Sequence, residues 1–122
     1  MDKSTDEELL MFILESIQLI RKWFDGIRSS DDFLANEEGM MRMDAIAMRL
    51  QSIGEALKNI DKRDRAFLLQ EGPKEYWSKI IKTREILTHH YIQIDSEIIF
   101  SICTDKLDEL EEKIKNLLKR LR

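Results

Sequence analysis

The 122-residue chain has room for one domain with a modest core, and 43% hydrophobic against 36% charged residues is the balance of amphipathic helices rather than of a disordered chain. A net charge of −4 argues against a general nucleic-acid binder held by bulk positive charge. Cys103 has no second cysteine to pair with, the longest apolar runs (Leu9 to Leu14, Ile98 to Phe100) stop well short of the roughly 20 residues of a membrane span, and the acidic start from Met1 to Glu8 lacks the basic flank of a secretory leader. The expectation is a single domain over residues 1–122, cytoplasmic, with no membrane segment and no DNA partner.

In chain order, Thr5 to Glu8 has the form of a capping box and predicts a helix that starts there. Leu10, Ile13, Ile17, Ile20 and Phe24 make its apolar stripe, and Gly26 is its stop. Ser29 to Leu34 is a connector with a short helical turn. Met43, Ile46, Leu50, Ile53, Leu57 and Ile60 form a second stripe, in which Gly54 allows another helix to approach closely. Asp61 to Leu69 predicts a short helix, ended by Gly72 and Pro73, and a third main helix spans Lys74 to His89. Tyr91 to Ile94 is β-branched and weakly helical. Asp95 or Ser96 then caps a final helix whose stripe is Ile99, Cys103, Leu107, Leu110, Ile114, Leu117 and Leu121. The fold class is all-α, an up-down antiparallel bundle of four main helices with short connectors. Met40, Met41, Met43 and Met48 are expected as core and interface filler, and Trp23 and Trp77 as packing anchors.

Charge is unevenly placed. Residues 74–91 carry Lys74, Lys79, Lys82 and Arg84 against Glu75 and Glu85, a net +2 that leaves −6 on the remainder. Both histidines, His89 and His90, fall in this stretch, followed by Tyr91. A metal site is not expected, because adjacent helical residues point about 100° apart and the i, i+3 or i, i+4 pairing that chelates zinc is absent. Arginine offers a permanent charge and a planar fork for phosphate, and histidine exchanges a proton near neutral pH. That pair suits phosphodiester cleavage without a cofactor: the histidine takes a proton from a 2'-hydroxyl or gives one to the leaving oxygen, while the arginine stabilises the phosphorus oxygens. A surface ion pair for Arg84 and a hydrogen-bonded interfacial His89 satisfy the same residue types, so type and spacing alone leave both readings open.

The pattern Arg84, His89, Tyr91 resembles the Arg-x-x-x-x-His-x-Tyr signature of the HEPN superfamily, specifically its HepT-like toxins paired with a minimal nucleotidyltransferase antitoxin. The resemblance extends to Tyr76 to Ile81 before the arginine, to Ile94 to Ile99 around an acidic residue, and to the element Ile53-Gly54-Glu55-Ala56. It runs from about Glu7 to Leu118. It implies a HEPN-type bundle, a homodimer, and metal-independent RNA cleavage that leaves a cyclic phosphate, as in a type VII-like toxin–antitoxin pair. Arg84 and His89 would be the catalytic pair, Tyr91 the acceptor of AMP from the nucleotidyltransferase antitoxin, and Glu85 and His90 auxiliary groups. Family members usually carry Asn or Asp after the arginine. Glu85, a longer carboxylate, either holds the arginine similarly or repels the phosphate.

Helix geometry bears on this implied site. Residues five apart lie about 140° around a straight helix, so Arg84 and His89 of one chain do not share a face. Either the helix distorts near Thr88, or two copies each supply part of one site across a two-fold axis. The family's dimer is the second solution. The alternative function is a non-catalytic helical dimer that binds a partner nucleotidyltransferase or a nucleotide.

Overall fold

A computed structural model of the chain describes residues 3–88 and 92–122. Among the described residues five α-helices follow one another: α1 (Lys3–Phe24), α2 (Glu37–Leu69), α3 (Lys74–Thr88), α4 (Ile92–Asp105) and α5 (Leu107–Leu121), with a 3₁₀ turn at Ser30–Leu34. No strand occurs among the described residues. The all-α expectation therefore holds, with five helices where four main ones were predicted.

Side-chain pairings show the up-down order. Asp6, Ser16 and the Trp23 carbonyl of α1 meet Arg63, Arg49 and Arg42 of α2, so α1 and α2 are antiparallel. Arg21 reaches Asp108 and Glu111 of α5 at 2.9 Å each while Glu7 reaches Arg122, which sets α5 antiparallel to α1. Trp77 Nε1 donates to the Leu68 carbonyl at 2.8 Å, and the backbone near Ile80 passes Gly54, so α3 returns along α2.

The core follows the predicted stripes. Leu10, Ile13, Ile17 and Ile20 are fully buried, as are Ile46, Leu57 and Ile60, and Met43, Leu50 and Ile53 are nearly so. Trp77 is enclosed, and Trp23 packs partly buried against the same cluster. Gly26, at φ +87°, takes the left-handed conformation that ends α1 at little cost only for glycine.

Several boundaries differ from the sequence expectation. α1 reaches back to Lys3, so Thr5 lies inside it rather than capping it. Asp6, fully buried, spends its carboxylate on Arg63 of α2. The predicted short helix after Ile60 is a continuation of α2 beyond a bend at Asp64, whose Oδ1 accepts the Phe67 amide at 3.3 Å and so caps the second piece. Asp95 and Ser96 are inside α4, which already starts at Ile92. Burial of Ser96 and Ile99 on the bundle overrides the weak local propensity there.

The predicted last helix is divided at Lys106 (φ −117°, ψ −24°) into α4 and α5. Hydrogen bonds from Lys106 N to Ile102 O (2.9 Å) and from Leu110 N to Lys106 O (3.2 Å) continue across this bend. The apolar stripe also passes through it unbroken, which is why periodicity does not register it.

Of the four methionines predicted as filler, only Met43 is core, whereas Met40, Met41 and Met48 are exposed. Two residues along a helix is about 200° around it, which turns Met41 and Met48 away from the buried Met43 and Ile46.

Candidate functional site

α3 is the outer helix of the bundle on this side, and its principal neighbour is α2. Trp77 anchors its first turns and the buried Leu87 its last. Between these anchors the two backbones come close at Gly54. A Cβ added there would stand 3.3 Å from Arg84 Cβ and 3.4 Å from the Ile80 carbonyl oxygen. The close approach anticipated from Gly54 is thus made by α3.

Beside that contact Arg84 Nε lies 3.0 Å from Glu55 Oε2. Both side chains are a little under half exposed, at 44% and 45%, although Oε2 itself is enclosed. An ion pair this exposed contributes on the order of 0–1 kcal/mol to folding. It places a carboxylate of α2 beside the guanidinium of α3. The element Ile53-Gly54-Glu55-Ala56 divides accordingly: Ile53, Gly54 and Ala56 are buried, Gly54 against α3, and Glu55 lies beside Arg84.

Among the residues singled out from sequence, Arg84 and Glu85 are described, whereas His89, His90 and Tyr91 lie outside the described residues. Glu85 is exposed, and the carboxylate that crosses to Arg84 from α2 is Glu55. Reasoning from sequence did not give Glu55 a role. The available signal was a glutamate directly after a mid-helix glycine, where only a neighbouring helix explains the glycine. Lys79 and Lys82 are exposed on α3 within the turn and a half before Arg84, so the cationic character of this stretch faces solvent.

Among the described residues, no group of three or more His, Cys, Asp or Glu side chains gathers where a metal ion could be held. No described helix is long and apolar enough to cross a membrane.

Comparison with known proteins places these features in a wider set. The model of a family described as "Ribonuclease HepT-like" matches residues 13–117. A protein of Methanocaldococcus jannaschii named as an RNase is 31% identical over 121 residues, covering 96% of this chain and 93% of that one. Another, of Thermococcus cleftensis and named as a ribonuclease HepT, is 29% identical over 117 residues, covering 96% and 99%. A second M. jannaschii protein, named as a gamma-glutamylcyclotransferase and RNase, is 28% identical over 116 residues, and the matched region spans 92% of this chain but 47% of that longer protein. No solved structure is a significant match.

Proposed function

The chain belongs to the HepT-like ribonuclease family, and from that premise we propose that it is an endoribonuclease that cleaves RNA without a metal, using Arg84 and His89. The observation that carries this reading is the half-exposed guanidinium of Arg84 beside Glu55, in a stretch of net positive charge on an acidic chain. A fixed arginine fork at the surface suits a phosphate in transit.

In the proposed reaction His89 accepts the proton of a 2'-hydroxyl, and the 2'-oxygen attacks phosphorus. The O2'–P bond forms as the P–O5' bond breaks. Arg84 stabilises the charge on the non-bridging oxygens, and a protonated histidine gives the 5'-oxygen its proton, leaving a 2',3'-cyclic phosphate. Because Arg84 and His89 are about 140° apart on a straight helix, the working site combines groups from two copies of the chain. RNA with unpaired bases suits such a cleft better than a duplex, whose grooves hide base edges.

The remaining parts of the reading concern regulation. The protein is the toxin of a two-component pair, and a cognate minimal nucleotidyltransferase silences it by transferring AMP to Tyr91. The added phosphate and nucleoside would occupy the anion site beside Arg84.

The test is incubation of purified protein with RNA in EDTA. Cleavage with cyclic-phosphate ends is expected, and it is abolished in Arg84→Ala and in His89→Ala. Undiminished cleavage by either variant sinks the assignment. Intact mass after co-expression with the nucleotidyltransferase is expected to show an AMP-sized increment that Tyr91→Phe lacks.

A second reading is a dimer that binds the nucleotidyltransferase or a nucleotide without cleaving RNA. Glu55 favours it, since its carboxylate already lies beside the guanidinium, and Glu85 adds a further negative charge to the same exposed stretch of α3. Nucleotide binding without RNA cleavage would select it.

A further inference from the structure

A groove of about 400 Å³ runs between α3 and the α4–α5 arm. Its lining includes the core residues Ile53 and Leu107 and the partly buried Ile80 and Ile102, with Lys79 and Lys106 also along it. The volume is in the range of small-ligand sites.

The groove abuts Arg84. Ile53 precedes Gly54, the residue on which Arg84 Cβ rests, and Ile80 lies one helical turn before Arg84 on the same side of α3. Charge along the groove is unevenly placed. Tyr76 of α3 meets Lys113 of α5, whose ammonium lies 4.9 Å from the ring centroid, and the pairings described above make the two helices antiparallel. Lys79 and Lys106 therefore fall on the Arg84 side, while Glu75 and Glu109 fall at the far end with Tyr76. A strand anchored by its phosphate on Arg84 meets Lys79 and Lys106 first, and about one nucleotide further on Glu75 and Glu109, the latter 3.9 Å from the Lys113 ammonium. Thr83 Oγ1 donates to the Lys79 carbonyl at 3.0 Å, so toward a ligand this hydroxyl can only accept.

We propose that this groove is a base subsite, which receives one unpaired nucleobase of an RNA strand adjoining the phosphate held by Arg84. The proposal rests on the ribonuclease reading above and adds to it the place where the substrate is gripped. A slot whose walls are mainly apolar recognises a base by its flat face and size, so base selectivity is weak. Lys79 and Lys106 hold the backbone at the Arg84 end of the groove.

The probe is a fluorescent single-stranded oligonucleotide with 2'-fluoro sugars, which has no 2'-hydroxyl to attack and so reports binding alone. An abasic residue is moved along it one position at a time. In the wild-type protein one position is expected to weaken binding about tenfold, the scale of losing one buried base. Ile80→Trp fills the groove, and it is expected to bind the intact strand as weakly as the abasic one, with the positional penalty gone. Lys79→Ala with Lys106→Ala changes two exposed side chains, leaves the core intact, and is expected to weaken binding about tenfold with a shallower salt dependence.

A flat abasic scan, no binding at all, or undiminished binding by both variants overturns the subsite. So does a change of oligomeric state in Ile80→Trp with the abasic penalty retained, which would give the groove to a second copy of the chain. The matched ribo-oligonucleotide, assayed in parallel, separates the two ideas. Cleavage without a positional penalty removes the subsite and keeps the ribonuclease, whereas a penalty without cleavage keeps the base site and removes the chemistry.

Discussion

Arg84 of α3 and Glu55 of α2 meet at 3.0 Å across a helix contact that Gly54 makes possible. The pair is too exposed to hold the fold together, and what it does is set a carboxylate beside the guanidinium.

Glu55→Gln should therefore separate function from stability. Thermal midpoint is expected to move little, since the lost pair is worth about 0–1 kcal/mol. On an RNA substrate kcat is expected to fall about tenfold or more while KM changes little, because the arginine is present but no longer held for the transition state. Glu55→Asp should recover part of the loss. Unchanged kcat in Glu55→Gln would remove Glu55 as a positioning residue.

Gly54→Val tests the helix contact directly. With a Cβ at 3.3 Å from Arg84 Cβ there is no room for two further methyl groups, and α3 must move away from α2. The expected cost is about 1–3 kcal/mol in urea unfolding, with loss of RNA cleavage even where the protein remains folded. A variant as stable as the parent would contradict the packing.

Glu71 ties the end of α2 to α5. Its carboxylate accepts from Arg120 Nε at 2.9 Å and Asn116 Nδ2 at 3.0 Å, and Lys113 donates to its backbone carbonyl at 2.7 Å. The bond from Arg120, outweighing desolvation and helped by Asn116, holds its pKa below the ordinary 4.5. A lowered folded pKa means that the unfolded chain binds the extra proton first on acidification. Glu71 thus stabilises fully above pH 4.5 and loses its contribution as pH falls through the lowered value. Melting of Glu71→Gln against the parent should show a gap at pH 7 that closes in acid. A gap independent of pH would contradict the ion pair.

Cys103 should be inert while the protein is folded. It is buried, and burial pushes its thiol up to about 12, with Arg21 offsetting only part of that shift. At pH 8 a thiol reagent is expected to modify it at the rate of opening, and at once in denaturant. Rapid labelling of the native protein would place the thiol at the surface.

The stripes of α1, α2 and α5 were legible in the sequence because helix formation and one-sided burial leave a period in the chain itself. Lys74 at the start of α3 and Gly26 after α1 were legible for the same local reason, through proline and glycine chemistry. The start of α4 was not: Ile92 to Ile94 are weak helix formers, and the burial of Ile99 and Ser96 that draws them into a helix comes from the rest of the bundle.

The candidate site divides in the same way. Arg84 and its neighbours on α3 are contiguous in the chain, so their charge and spacing could be read from one line of letters. Glu55 lies 29 positions earlier, and its aim at Arg84 depends on how closely α3 settles on α2. The groove beside Arg84 depends on something further from sequence, the placement of the α4–α5 arm against α3. By itself the sequence determined which faces are buried and which residues can handle a phosphate, because both are properties of single helices. Only the tertiary structure decided what holds Arg84 and what space lies next to it, because distances between helices are determined by packing and not by spacing along the chain.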